Sequence, residues 1–117
     1  MIGSTRQLSV WACAKPTDMR RSFDGLAALV TASLERDPLA GDFFLFVSRN
    51  RRQAKVLYWD GTGLCIFAKR LEQGRFSAPW LSKEDSAWSL TMSELQLFLE
   101  GSQLVGKTRL SPPAFAW

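Results

Sequence analysis

Histidine is absent from this chain of 117 residues, and cysteine occurs only twice. The lack of histidine removes the most common general base, the usual base of a catalytic triad and the most common metal ligand. The two cysteines, Cys13 and Cys65, are too few and too far apart in sequence for a zinc ribbon. Both lie in apolar segments, which favours reduced cysteines in the core; the alternative is a disulfide between them.

Long apolar segments are lacking as well. The first seven residues contain no apolar region of the kind found in a secretion signal. No apolar run approaches the roughly 18 to 20 residues that a membrane-spanning helix needs. We therefore expect a cytoplasmic protein with no membrane partner.

The carboxylates do not form a catalytic or metal-binding pattern. Asp18 and Asp24 are six residues apart in the sequence. On a helix their side chains would point about 240° apart and would not converge. Asp60 is explained by the turn that it begins, and the glycines at 61–63 form a hairpin tip rather than a phosphate-binding loop. We predict no catalytic residue, no metal and no cofactor; the weakest hypothesis is a magnesium-dependent nuclease that uses these three aspartates.

Composition indicates a packed domain. Apolar residues make up 46% of the chain and aromatic residues 12%, which is typical of a folded protein with its own core. The length suits one domain. Regular patterns fade after Gly101, and the pair Pro112-Pro113 precludes regular structure around it. We predict a single globular domain over residues 1–101 and an irregular tail over 102–117.

The longest periodic segment predicts a helix. Apolar residues recur at helical spacing over 19–34, and the N-cap is Thr17, Asp18 or Ser22. Gly25 inside this segment indicates either close packing or a later start of the helix, because glycine costs about 1 kcal/mol relative to alanine in a helix interior.

Short apolar and alternating segments predict strands of an antiparallel meander at residues 43–47, 54–59, 64–71 and 75–78. The segment 8–13 also alternates, and we place it as a possible extra strand at an edge. Asp60-Gly61 predicts a type I′ hairpin turn. The capping-box spacing at 91–94 predicts a short second helix that ends before Gly101.

These elements predict an α+β fold. We expect an antiparallel β-meander of four to five strands, packed against one longer N-terminal helix and a short C-terminal helix.

Positive charge is concentrated in residues 49–55, which hold four cationic side chains and no acidic one. In a meander this loop lies at the opposite end of the sheet from Asp60. The strand at 64–71 runs back toward the loop and brings Lys69 and Arg70 close to it. Arginine suits phosphate because its planar fork binds two oxygens at once; the alternative is an ordinary solvated face. Together with the net charge of +4, the pattern predicts DNA binding by Arg20, Arg21, Arg49, Arg51, Arg52, Lys55, Lys69 and Arg70.

Four motifs, in order along the chain, resemble one protein family. They are Pro-Thr-Asp-Met-Arg-Arg-Ser-Phe-Asp-Gly-Leu at 16–26, Asp-Pro-Leu-Ala-Gly at 37–41, Tyr-Trp-Asp-Gly-Thr-Gly at 58–63 and Lys-Arg-Leu-Glu-Gln-Gly-Arg-Phe at 69–76. From about residue 10 to 101 the chain resembles the small accessory protein, called TnpB or Orf2-like, of bacterial insertion sequences of the type numbered sixty-six. This family is unrelated to the RNA-guided nuclease that shares the label TnpB. After Gly101, where the family pattern continues with isoleucine and aspartate, the sequence departs from it, so we assign no role to 102–117.

The resemblance implies a role in transposition, alongside a separate and larger transposase. The residues that match the family motifs are Asp18, Arg20, Arg21, Phe23, Asp24, Gly25, Arg51, Arg52, Trp59, Asp60, Gly61, Lys69, Arg70, Glu72, Gly74, Arg75 and Phe76. None is an established catalytic residue of the family. With the basic surface, this predicts a non-catalytic accessory protein that binds DNA at the element ends and assists the transposase and the element's other accessory proteins.

The alternative function is a protein-interaction module that docks on the transposase without direct DNA contact. Its docking residues would be Asp18, Arg20, Phe23 and Asp24. Arg20, Arg21 and Phe23 would be the anchors, because arginine and aromatic side chains dominate interface hot spots. The remaining charges would then only tune the rate of encounter.

Overall fold

Five strands form one mixed sheet, and the computed structural model describes residues 8–81 and 87–101 of the chain. The elements in chain order are β1 (Val10–Cys13), α1 (Phe23–Ser33), β2 (Phe43–Val47), β3 (Gln53–Trp59), β4 (Leu64–Arg70), a 3-10 helix (Pro79–Leu81), β5 (Ala87–Leu90) and α2 (Met92–Leu99). The spatial order of the strands is β4-β3-β2-β1-β5.

The first two strands are parallel neighbours joined by α1. Val10 pairs with Phe43, and the pairing runs to Ala12 opposite Leu45. Parallel neighbours need a crossover connection, and α1 supplies it. Pro16 has no backbone N–H, so it cannot continue the hydrogen-bonded strand after β1. The N–H of the next residue, Thr17, bonds to the carbonyl of Val47 at 2.9 Å. That bond fixes the start of the crossover to the end of β2.

The other strand pairs are antiparallel. β3 pairs with β2 and with β4, and β5 pairs with β1. The connection between β3 and β4 spans the four residues 60–63, in which Gly61 has a φ of 105°. Neither Asp60 nor Thr62 has a positive φ, whereas a type I′ turn needs a positive φ at both central residues, so the type I′ turn expected from Asp60-Gly61 is not formed.

The sheet is covered on both faces, which explains why β2 is apolar throughout. Alternate residues of a strand point to opposite faces. Phe44 and Phe46 pack with Leu26 and Val30 of α1 on one face. On the other face, the residues that form the second core include Val10, Ala12, Leu45, Val47, Val56, Phe76, Leu95 and Phe98.

The second core is closed by α2 and by the irregular segment 71–80. Phe76 is fully buried and stacks on Phe98 of α2, with ring centroids 5.3 Å apart. The predicted capping box is present, since Thr91 and Glu94 bond each other's backbone N–H groups. Gly101 follows the helix with a φ of 81°, as a residue after a helix end often does.

The α+β class is confirmed, but four details of the predicted architecture are wrong. The sheet is mixed rather than an antiparallel meander, and β1 lies inside it, between β2 and β5, rather than at an edge. Residues 75–78 form no strand, and the fifth strand of the sheet is β5, which lies next to β1. The first helix does not precede the sheet but connects β1 to β2. Its N-cap is Ser22, one of the three candidates from the sequence.

The two cysteines, the helices and the C-terminal tail were each the subject of a prediction from the sequence. Cys13 is buried on β1 and Cys65 lies on β4, two strands that are not neighbours, and both are free thiols. Neither α1 nor α2, nor any other helix in the described part of the chain, has the length and hydrophobicity of a membrane-spanning segment. The tail at 102–117 lies outside the described residues, so the division at Gly101 stays a prediction.

Replacement of Phe76 by alanine tests whether segment 71–80 belongs to the core. Because the ring is fully buried against Phe98, we expect Phe76→Ala to lower the free energy of unfolding by about 3 to 5 kcal/mol. Urea denaturation followed by circular dichroism measures this change. The matched control is Leu39→Ala, at a side chain that is 50% exposed, which should change stability by roughly 0.5 kcal/mol or less. Equal effects of the two replacements would contradict the packing described.

Candidate nucleic-acid interface

Three loop segments meet at one end of the sheet, and backbone hydrogen bonds hold them together. They are residues 14–22, 48–52 and 71–76, which we call the basic end. The Thr17 N–H bonds to the end of β2, the N–H of Phe76 bonds to the carbonyl of Arg51 at 2.7 Å, and that of Leu71 bonds to the carbonyl of Arg52 at 2.8 Å. The parallel pairing of β1 and β2 places the first segment beside the other two.

The loop between β2 and β3 has a fixed conformation. The Oδ1 atom of Asn50 accepts bonds from the hydroxyl of Ser48 at 2.8 Å and from the N–H of Arg52 at 3.0 Å. Arg51 adopts a positive φ of 62°, which is uncommon for a residue other than glycine. The loop is therefore held by its own backbone and by Asn50, and the side chains of Arg49 and Arg52 are left exposed to solvent.

Charges separate along the direction of the strands. Among the described residues the basic end and the strand positions next to it carry Lys15, Arg20, Arg21, Arg49, Arg51, Arg52, Lys55, Lys69, Arg70 and Arg75. The opposite end carries Glu35, Asp37, Asp42 and Asp60. Arg36 is the exception there, and its guanidinium lies 3.5 Å from the ring centroid of Trp11. The separation of charge is incomplete, because the basic end also holds the acidic residues Asp18, Asp24, Glu72 and Glu100.

Both lysines among the predicted DNA-binding residues are engaged inside the protein. The Nζ atom of Lys55 donates to the carbonyls of Met19 at 2.9 Å and Arg21 at 2.8 Å, on the face covered by α1. The Nζ atom of Lys69 donates to the carbonyl of Leu99 at 2.7 Å, on the opposite face. A cation at a helix C-terminus is favourable because unpaired carbonyls point there. The two lysines therefore fasten loop and helix ends to the sheet, and they do not share one surface.

Two of the predicted arginines form exposed ion pairs. Arg20 binds Asp18 through two nitrogens, with Nη2 2.6 Å from Oδ2 and Nε 3.0 Å from Oδ1. Arg70 lies 3.2 Å from the carboxylate of Glu72. Exposed pairs of this kind contribute little to stability, but they partly neutralise the positive charge of Arg20 and Arg70.

Gly25 gives Arg21 its place at the start of α1. A Cβ atom at position 25 would lie 3.1 Å from the Cβ of Arg21, closer than ordinary contact. The glycine therefore lets the Arg21 side chain lie along the first turn of the helix, and both expectations for Gly25, close packing and a late helix start, are confirmed.

The remaining lysine and arginine side chains of the basic end form no hydrogen bond or ion pair within the described protein. In the part of the chain that the structure describes, no side-chain hydrogen bond or ion pair is made by Lys15, Arg21, Arg49, Arg51, Arg52 or Arg75. Lys15 and Arg75 were not among the predicted DNA-binding residues. Lys15 joins the group only because β1 is parallel to β2, and nothing in its own sequence context signals this. Arg75 is brought in by the bond between Phe76 and the loop.

A shallow cleft of about 280 Å³ opens at the corner of β3 and β4. Its lining includes Met19, Gln53, Lys55, Ala68 and Arg70. Hence polar and cationic groups surround a concave surface next to the loop arginines, although the Lys55 ammonium group is already bound to backbone carbonyls.

The aspartates of the nuclease hypothesis do not form one site. Asp18 lies at the basic end and Asp60 in the loop at the other end of β3. The Asp60 carboxylate accepts bonds from the N–H groups of Thr62 and Gly63 at 2.9 and 3.0 Å. Among the described residues no group of three or more histidine, cysteine, aspartate or glutamate side chains is placed to hold a metal ion.

Two carboxyl pKa values report these local bonds. The Arg20 guanidinium, hydrogen-bonded to Asp18, lowers the pKa of Asp18 to about 2. The backbone N–H groups of Thr62 and Gly63 lower the pKa of Asp60 to about 2. Because both folded-state pKa values are depressed, the stabilisation from each carboxylate is complete above its ordinary pKa of 3.8 and is lost as the pH falls through about 2.

Replacement of Arg20 tests whether its guanidinium lowers the pKa of Asp18, while the backbone N–H groups that lower the pKa of Asp60 stay in place. In Arg20→Ala we expect the pKa of Asp18 to return toward 3.8, because its largest hydrogen bond is lost, while the pKa of Asp60 stays near 2. Carboxyl 13C NMR titration measures both values in one sample, and Asp60 is the internal control. An unchanged pKa of Asp18 would show that Arg20 does not bind it in solution.

Comparison with known proteins identifies the family. Residues 8–109 match the family described as IS66 Orf2 like protein. Two relatives from Sinorhizobium fredii (strain NBRC 101917 / NGR234) are similar to this chain over 101 residues: "Uncharacterized protein y4jC" at 37% identity and "Uncharacterized protein y4hO" at 39%. Each alignment covers 86% of this chain, and 85% and 86% of the respective relatives. No solved structure matches.

The family match extends eight residues beyond Gly101, where the resemblance of the motifs was expected to end. It includes all four motifs of the sequence analysis, at 16–26, 37–41, 58–63 and 69–76. The resemblance is therefore confirmed, and the chain belongs to the family of IS66 Orf2-like proteins.

Proposed function

We propose that this protein is a non-catalytic, cytoplasmic accessory protein of insertion-sequence transposition that binds DNA through its basic end and assists the transposase. Family membership supports the role in transposition. The observation that supports DNA contact is the group of unengaged arginines gathered by three loops at one end of the sheet. Unpaired guanidinium groups in solvent can bind phosphate without first breaking an internal bond.

The cations of the basic end have different roles in this proposal. Arg49, Arg51 and Arg52 neutralise phosphates, because the loop holds their backbone and leaves their side chains without protein partners. Arg21 flanks them, whereas Arg20, Arg70, Lys55 and Lys69 act mainly within the protein. Phosphate contacts carry no sequence information, so this surface supplies affinity, and selection of the element ends depends on the transposase.

Salt dependence tests direct DNA contact. If about four phosphates are neutralised, the logarithm of the association constant should fall against the logarithm of salt concentration with a slope near −3.6. Removing two contacts with Arg49→Gln/Arg52→Gln should reduce the slope to about −1.8. These two positions avoid Arg51, whose positive φ makes the effect of replacement harder to assign. Fluorescence anisotropy with duplex DNA from the element ends, and with scrambled duplex, measures the slopes.

The control for this measurement is Arg36→Gln, which removes a cation from the opposite end of the sheet. Its slope should match that of the unmodified protein. A flat salt response of the unmodified protein, or an equal loss in the control, would rule out the basic end as a DNA-binding surface.

A second candidate function, docking on the transposase, is favoured by the surface at the start of α1. Phe23 is 46% exposed there, and Asp18 and Arg20, which precede it in the same motif, form an ion pair. Aromatic rings and arginines are the residue types that dominate interface hot spots. The two functions are compatible, because Phe23 lies next to the basic end rather than within its loop arginines.

Replacement of Phe23 tests the docking surface. We expect Phe23→Ala to reduce co-purification with the transposase of the same element by at least about tenfold, since hot-spot truncations cost on the order of 2 kcal/mol or more. The replacement should leave the circular dichroism spectrum unchanged, because the side chain is largely exposed. Leu39→Ala is the matched control, at a similarly exposed apolar residue outside the motif at 16–26. Retained co-purification of the Phe23 variant would remove this residue as an anchor.

A further inference from the structure

The sheet ends in an open strand at β4. It is an outer strand of seven residues, paired with β3 on one side only. The other outer strand, β5, has four residues. A long outer strand offers a row of unpaired N–H and C=O groups, and it readily pairs with another strand unless it is covered or interrupted. β4 contains no proline, and its pairing with β3 is continuous from Leu64 to Arg70.

The direction of each backbone group of β4 follows from two hydrogen bonds at its ends. The N–H of Asp60 bonds to Gly63 at 3.1 Å, and that of Leu71 bonds to Arg52 at 2.8 Å. Hydrogen-bonded and non-hydrogen-bonded pairs alternate along an antiparallel ladder. The residues whose backbone groups point outward, away from β3, are therefore Leu64, Ile66, Ala68 and Arg70. In the described part of the chain, the N–H and C=O groups of these four residues form no hydrogen bond with a loop.

Phe67 lies at the centre of this strand and is 47% exposed. Its partner in β3 is Val56, a member of the second core, so the ring projects on the face covered by α2. Because Phe67 bonds to β3, its outer side is a non-hydrogen-bonded position. Directly opposite residues at such positions have Cβ atoms about 4.5 to 5.5 Å apart, and aromatic pairs across strands are stabilising.

The separation of charge selects an antiparallel arrangement of two molecules. Lys69 and Arg70 lie at the end of β4, whereas Asp60 lies in the loop that precedes it. If the β4 strands of two copies pair in opposite directions, the basic end of each copy lies beside the opposite end of the other copy, which carries Asp60. Pairing in the same direction would place Arg70 beside Arg70, which is unfavourable.

We propose that this protein forms a two-fold symmetric dimer by pairing β4 with β4 of a second copy, with the two Phe67 rings opposite each other on the axis. In this register Ile66 of one copy forms a hydrogen-bonded pair with Ala68 of the second copy, and Leu64 forms one with Arg70. All the outward backbone groups of β4 are satisfied, and the two sheets become one continuous sheet. A symmetric interface of this kind uses the same surface on both copies and closes on itself. The dimer does not depend on the proposed DNA contact.

Size-exclusion chromatography with light scattering tests the dimer on the full chain over a concentration series. The unmodified protein should have twice the monomer mass, and two variants should have the monomer mass. Phe67→Lys places like charges on the axis. Ala68→Pro removes an N–H that points away from β3, so it removes two symmetry-related bonds between the copies while keeping the pairing within the sheet. Leu39→Lys, at another exposed apolar residue, is the control and should remain dimeric.

Hydrogen exchange provides a test that needs no substitution. The amides of Leu64, Ile66, Ala68 and Arg70 should exchange more slowly as the protein concentration rises, because only the dimer protects them. A monomer mass of the unmodified protein at all concentrations would overturn the proposal. So would a dimer that persists in both variants, or one in which these amides exchange at the same rate as in dilute protein.

Discussion

The parallel pairing of β1 with β2 is the constraint on which the rest of this structure depends. It requires a crossover, and the crossover puts α1 on one face of the sheet, leaving the other face to α2 and segment 71–80. It also places the residues that follow β1 next to those that follow β2, where the bond between Thr17 and Val47 holds them. Had β1 run antiparallel to β2, residues 14–22 would lie at the other end of the sheet, beside Asp60 and away from the loop arginines.

The lysines and arginines at the basic end have taken different roles for a physical reason. An ammonium group is compact and can satisfy its donors with a few backbone carbonyls, as Lys55 and Lys69 do. A guanidinium carries five donors in a rigid plane, which match carboxylate or phosphate oxygens better than scattered carbonyls. Asp18 and Glu72 each bind one arginine in this way. The arginines of the β2–β3 loop make no such pair in the described part of the chain, which is why we propose them as phosphate-binding residues.

The sequence was most informative where the cause of structure is local. The capping box at Thr91 and the glycine after α2 depend on side chains within a few residues of each other, so their spacing was sufficient. The order of the strands depends on contacts between distant segments, and periodicity carries no information about them. The alternation at 8–13 predicted a strand, yet it could not distinguish an edge strand from one between two neighbours. Likewise Arg75-Phe76 has the composition of a strand, but Phe76 is fixed by ring stacking and one bond to Arg51.

The same limit applies to the basic end. Clustering of Arg49, Arg51 and Arg52 is visible in the sequence, whereas the engagement of Lys55 and Lys69 depends on where α1 begins and where α2 ends. Charge separation along the strands then links the two proposals. Antiparallel pairing through β4 would point the two basic ends in opposite directions, so one dimer would present a phosphate-binding surface at each end. If both proposals hold, one dimer would contact two separate DNA segments at once, as the joining of two ends of a mobile element requires.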